Sequence, residues 1–177
     1  MEIGSMIKFG EHNWRIMDIA NDKAFLISCG IIDTGKYHKE FTNITWEHCS
    51  LRKYLNGKFL KTFGSDDRAK IIETRINNLN NPLYNTSGGK DTKDYIFLLS
   101  LDEVKRFFPT DEDRVVIHHG SAHWWWLRTP GQNSARTIIV KAQGGSNNYA
   151  DGAIGIPGER IAQDGGGIRP ALWIGIS

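Results

Sequence analysis

Cysteine is scarce. The chain of 177 residues holds only Cys29 and Cys49, too few for a disulfide framework. Such a count suits a reduced compartment, where both read as small buried apolar side chains. A nucleophilic thiol needs a positioned histidine. His48 adjoins Cys49, but neighbouring side chains seldom face each other, so the pair makes a poor dyad. Long apolar runs are missing as well. No stretch approaches the roughly 18 residues of a membrane helix, so no membrane insertion is expected. The opening residues, MEIGSMIKFGEHNW, carry neither a basic n-region nor an apolar h-region. A secretion leader is therefore not expected, and a cytoplasmic location is. Charge of one sign does not accumulate either. The net charge is +2 and the basic residues are scattered, which leaves no footprint for nucleic acid. GxGxxG and P-loop patterns are absent, and Gly144–Gly145 and Gly165–Gly167 lack a following helix signal. No cofactor is implied.

What is present is an ordinary globular mixture, 40% hydrophobic and 24% charged, of a length that suits one domain over 1–177. Two regimes stand out: residues 1–122 with strand and helix signals, and 123–177, which is glycine-rich. Trp14–Ile19 and Lys23–Ser28 read as a hairpin around Asn21–Asp22, with alternation giving one mostly apolar face. Ser50 is the expected N-cap of LRKYLNGKFL, whose Leu51, Tyr54, Leu55 and Phe59 share a helical stripe. Ser65 or Asp66 is placed to cap a second helix, DRAKIIETRI. Ser100 and Glu103 spell a capping box for a third, which Pro109 ends. Tyr95–Leu99 reads as a buried strand. Between them, 77–93 is a long polar loop of the kind that is functional or mobile.

More than half of the 19 glycines fall in 129–177, which has almost no helical periodicity. Trp124–Thr129, Arg136–Ala142 and Ile168–Ile174 are its strand cores. The last closes a sheet, with Pro170 confined to a strand start, bulge or edge.

Five stretches taken together, NWRIMDIANDKAFLIS, TWEHCSLRKYLNGKFL, GGKDTKDYIFLLSLDEVKRFF, WWWLRTPG and GIRPALWI, resemble a family of bacterial and phage domains of unknown function. Its C-terminal half is C-type-lectin-like. The resemblance spans most of the chain and implies an α+β, C-type-lectin-like fold of short antiparallel sheets, two or three helices and long C-terminal loops. It also implies a phage-associated alternative for location. In such folds a short sheet holds irregular loops that bind ligands. Relatives include the variable proteins of diversity-generating retroelements, and the sulfatase-modifying-factor fold, which contains enzymes. Fold does not fix function.

The resemblance makes Trp124, Trp125, Trp126, Arg128, Arg169 and Trp173 a structural frame. Alternation puts Trp125 on the opposite face from Trp124 and Trp126. Arg128 and Arg169 are expected to tie loop carbonyls or a carboxylate such as Asp164 or Asp151. The segment between the frame motifs supplies the expected ligand surface: Gln132, Asn133, Ser134, Arg136, Asn147, Asn148, Tyr149, Asp151, Glu159 and Arg160. Tyr gives rigid contact area there, and Ser and Asn give adaptable hydrogen bonding. No residue is assigned a catalytic role. His118, His119 and His123 form a polar run whose spacing matches no established metal site, so no metal is expected. The expected function is a non-catalytic module binding a protein or small ligand, with self-association left open. The rivals are a phage or surface assembly piece and an enzyme of the sulfatase-modifying kind.

Overall fold

The computed structural model describes residues 1–142 and 151–176. Strands β1 (Met6–Phe9), β2 (His12–Ala20) and β3 (Lys23–Ser28) form an antiparallel meander. Asn21 and Asp22 both take positive φ, 49° and 59°, as a two-residue hairpin turn requires. The apolar alternation of β2 holds at Trp14 and Ile16 and then fades. The register slips between Ile16 and Asp18, and a bulge rotates the following side chains.

After β4 (Asp33–Gly35) and a 3₁₀ turn at Trp46–His48 comes α1 (Ser50–Tyr54). The coil continues as a π turn, Leu55–Phe59, and a 3₁₀ turn, Leu60–Thr62. Leu51, Leu55 and Phe59 are buried as the stripe predicts. The N-cap lies one residue earlier than expected: the Cys49 thiol accepts the Arg52 N–H at 3.4 Å.

Helix α2 (Ser65–Lys70) is shorter than its sequence suggests. Ile71 bridges to Ile174, and Thr74–Ile76 becomes β5, paired with β6 (Thr92–Asp94). Strand partners supplied by distant sequence override local helical propensity here. Tyr95–Leu99 runs on from β6 with one bridge, Phe97 to Ala171. Helix α3 (Leu101–Phe107) starts on the full Ser100/Glu103 capping box. The short α4 (Asp111–Arg114), capped by Thr110, was not anticipated.

The rest is β7 (Ile117–His118), β8 (Ser121–Ala122), β9 (Trp125–Pro130), β10 (Arg136–Val140), β11 (Ile154–Arg160), β12 (Gly166–Ile168) and β13 (Ala171–Gly175). Strand order is β1-β2-β3-β13 in one sheet and β11-β10-β9-β12-β4 in the other. Among the described residues, the strand pairings of both sheets are antiparallel except that of β12 with β9. The protein is thus α+β, with short, mainly antiparallel sheets and few helices. No helix among the described residues is long and apolar enough to cross a membrane.

The two composition regimes interlock. The first sheet takes β13 from the far end of the chain, and the second takes β4 from the near end. Ile168–Ile174, expected as one strand, is split at Arg169–Pro170, where the chain passes from one sheet to the other. Pro170 donates nothing there, and its carbonyl accepts the Ser28 N–H at 3.0 Å.

Candidate functional site

Trp125 and Trp126 are fully buried on opposite faces of β9. Their indoles donate to the carbonyls of Arg114 (3.1 Å) and Gly35 (2.9 Å). Trp124 is half-buried, edge-on to Trp126 at 4.8 Å and stacked on His123. Arg128 is buried, but its carboxylate is Glu103 rather than Asp151 or Asp164. Nη1 reaches Oε2 at 2.5 Å and Nη2 reaches Oε1 at 3.1 Å, with further bonds to the Leu98 and Asn77 carbonyls. The sequence showed Glu103 only as a helix cap, because its partner lies 25 residues away.

Arg169 is buried and is met by a carbonyl and two aromatic rings. Its Nε donates to the Ser28 carbonyl at 3.0 Å, and its guanidinium lies 4.8 Å from the Phe108 ring centre and 5.0 Å from that of Trp125. Burial pushes it down to about 10, and cation–π attraction offsets part of that penalty. Trp173 is half-buried and faces a cleft rather than the deep core.

The expected ligand residues divide between two places. Gln132, Asn133, Ser134 and Arg136 form the turn between β9 and β10, beside Glu159 and Arg160 at the close of β11. Asp151 lies on the connection at the other end of the β10–β11 pair. Asn147, Asn148 and Tyr149 fall on that same connection, outside the described residues. A five-residue strand spans about 16 Å, so Asp151 stands apart from the six candidates at the turn end. The physical reason is β11, which runs through sequence read as loop.

The glycines mislead for a related reason. Gly166 packs against the Trp126 indole, and Gly152, at φ +82°, packs against the Asp111 backbone. These are close approaches that exclude a Cβ, not open loops.

The turn end is firmly held. Gly131 N–H donates to the Arg136 carbonyl, Gln132 N–H to Pro157, Arg136 N–H to Asn133 and Ile44 N–H to Ser134, at 2.8–3.1 Å. Arg136 Nη1 donates to the Gly158 carbonyl at 2.8 Å, so this side chain braces the turn. Gln132, Asn133 and Arg160 stay exposed. Beside them stands Phe41, 62% exposed, with the Arg160 guanidinium 5.7 Å from its ring centre. Phe41 was missed; its signal is an aromatic isolated in the polar run Lys39–Asn43.

The histidines do gather. The His118 ring centre lies 4.1 Å from that of His119 and 5.3 Å from that of His123. Desolvation, then the charges of His119 and His123, lowers the His118 pKa. The His123 Nε2 sits 2.9 Å from the Gly165 carbonyl. Among the described residues, no group of three or more His, Cys, Asp or Glu is arranged to hold a metal ion. Cys49 is buried and its thiol is pushed up to about 12 by that burial.

The 77–93 loop, expected to be functional or mobile, is pinned by buried asparagines. Asn81 Nδ2 donates to the carbonyls of Pro130 (2.9 Å) and Ile156 (3.2 Å), and its Oδ1 accepts from the N–H groups of Leu83 and Tyr84. Asn78 Nδ2 donates to the Lys90 carbonyl at 2.8 Å. Two hollows share Thr74, Arg75 and Trp173, and the first of them reaches Asn77 and Leu79 of this loop. One of about 280 Å³ is lined by Trp173, Phe107, Arg75, Arg106 and Arg128, and one of about 340 Å³ by Trp173, Arg75, Lys23 and Glu73.

A family model described as a domain of unknown function, DUF6273, matches residues 21–176. No curated protein and no solved structure matches the chain.

Proposed function

The chain belongs to the DUF6273 family of domains of unknown function, and we propose from that premise that it is a non-catalytic binding module on a C-type-lectin-like scaffold. Its ligand surface is the sheet end built from Gln132, Asn133, Ser134, Glu159 and Arg160, with Phe41 as apolar anchor. One observation carries the reading: an exposed aromatic and an exposed arginine stand side by side next to a turn fixed by four backbone hydrogen bonds. Aromatic and arginine side chains supply most binding energy at protein interfaces. A backbone already fixed loses little entropy when it binds. The ligand class is a protein segment with an acidic or aromatic feature opposite Arg160. The relation to retroelement-diversified proteins belongs to the same proposal, whether the chain is itself diversified or is an undiversified relative. An enzyme reading through Cys49 is disfavoured, because a thiol titrating near 12 supplies almost no thiolate at neutral pH.

The test is selection of phage-displayed random peptides on the intact chain. Selected peptides should bind the Phe41→Ala/Arg160→Ala variant at least about tenfold more weakly. Full retention of affinity by that variant, with peptides mapping elsewhere, removes this surface from consideration.

A further inference from the structure

The two hollows that meet at Trp173 play no part in the sheet-end reading. We propose that they form one groove for a ligand carrying a flat aromatic ring and a carboxylate, anchored by Trp173 and Arg75. This site is independent of Phe41 and Arg160.

The floor is aromatic. Phe25 centres a cluster with Trp173 at 5.1 Å, Phe107 at 5.2 Å and Phe97 at 6.0 Å. Phe25 and Phe97 are buried, whereas Trp173 and Phe107 are half-buried and line the groove. A ligand ring set on these two extends an existing aromatic stack, an arrangement that rewards offset and edge-on contacts.

The walls are polar, and two of their arginines also meet carboxylates outside the lining, Arg75 with Asp91 and Arg106 with Asp18. The first hollow sets Arg75, Arg106 and Arg128 against Asp102 and Glu103, and the second sets Lys23 and Arg75 against Glu73. Arg75 borders both. Its present partner is Asp91 at 3.1 Å, with both side chains substantially exposed, a kind of pair that contributes little in water. The guanidinium is therefore cheaply redirected to a ligand carboxylate, whose two oxygens match its fork.

Arg128 gives the first hollow a fixed polar wall. Arg128 lines the first hollow, is buried, and has an Nε–H with no hydrogen-bond partner among the described residues. That N–H has almost no accessible surface, so Arg128 bounds the groove and Arg75 makes the contact. A plain hydrocarbon would leave the Arg75 fork unused.

Free aryl carboxylates and the C-terminal aromatic residue of a peptide share this chemistry. The experiment titrates the intact, isotope-labelled chain with N-acetyl-L-tryptophan, with its amide, and with the tripeptide Gly-Gly-Trp as acid and as amide, followed by amide NMR shifts. Saturable shifts at Trp173 and Arg75 are expected for an acid, with its amide at least about tenfold weaker. The tighter of the two acids identifies the source. Arg75→Gln, an exposed change that leaves the fold intact, should weaken the acid by the same factor and leave the amide unaffected. The proposal is overturned if acid and amide bind alike, if shifts fall away from the groove, or if neither acid saturates by about 10 mM.

Discussion

Replacing Glu103 by Gln tests the account of the frame most directly. Arg128 is 3% exposed at its side chain and Glu103 is 31% exposed. Removing one partner of a fully buried pair costs about 3–5 kcal/mol, because the other charge stays buried alone. Water reaches part of Glu103, and Arg128 keeps its bonds to the Leu98 and Asn77 carbonyls. The loss should therefore fall to the lower end of that range or just below it, about 2–3 kcal/mol. For a domain of this size that is a fall in Tm of about 5–10 °C. Gln retains an acceptor for the Ser100 N–H, so the helix cap contributes little to the difference. Urea denaturation at neutral pH measures it, with the exposed Asp102→Asn as a control expected within about 0.5 kcal/mol of the parent.

The pH dependence supplies a second check on the same pair. Burial pushes the Glu103 carboxyl up, but the charge and hydrogen bonds of Arg128 outweigh it and hold the group below its ordinary 4.5. A depressed carboxylate stabilises the fold above the unfolded value, and that contribution is lost as pH falls through the folded value. The gap between parent and Glu103→Gln should accordingly narrow below about pH 4. A variant within about 0.5 kcal/mol of the parent at neutral pH would refute the reasoning.

Two further outcomes are expected. Asn81→Ala strands the Pro130 and Ile156 carbonyls and the Leu83 and Tyr84 N–H groups. It should destabilise by about 2–4 kcal/mol and open 82–90 to protease, read by limited proteolysis and mass mapping. His38 takes the Ser50 N–H on Nδ1 at 3.1 Å, and desolvation lowers its pKa from the ordinary 6.5. The unfolded chain then binds a proton before the folded one does, so stability declines as pH drops below 6.5. Urea midpoints across that range should show a decline that His38→Asn flattens.

Local signals were legible where one stretch of chain satisfies itself. The Asn21–Asp22 hairpin and the Ser100 cap needed only neighbours to form. The Leu51–Leu55–Phe59 stripe did too, although its helix is distorted. Pairing across the chain was not legible. Nothing in IIETRI tells that Ile71 will meet Ile174, and nothing near residue 33 tells that β4 will join β12. The candidate surface was half legible: Gln132, Asn133 and Arg160 lie where a ligand can reach them, whereas Arg136 is spent on the Gly158 carbonyl. Glycine was the most misleading letter, because a residue without a Cβ serves an open turn and a tight backbone crossing equally well.

Sequence alone determined the Asn21–Asp22 hairpin, the Ser100/Glu103 cap, the buried Leu51–Leu55–Phe59 stripe and the opposite faces of Trp125 and Trp126, since each depends on the period and identity of adjacent residues. Tertiary structure decided which carboxylate meets Arg128, how the chain's two ends trade strands, and which aromatic side chains face water. Those outcomes depend on distances between residues far apart in the chain, and a linear order carries no distances.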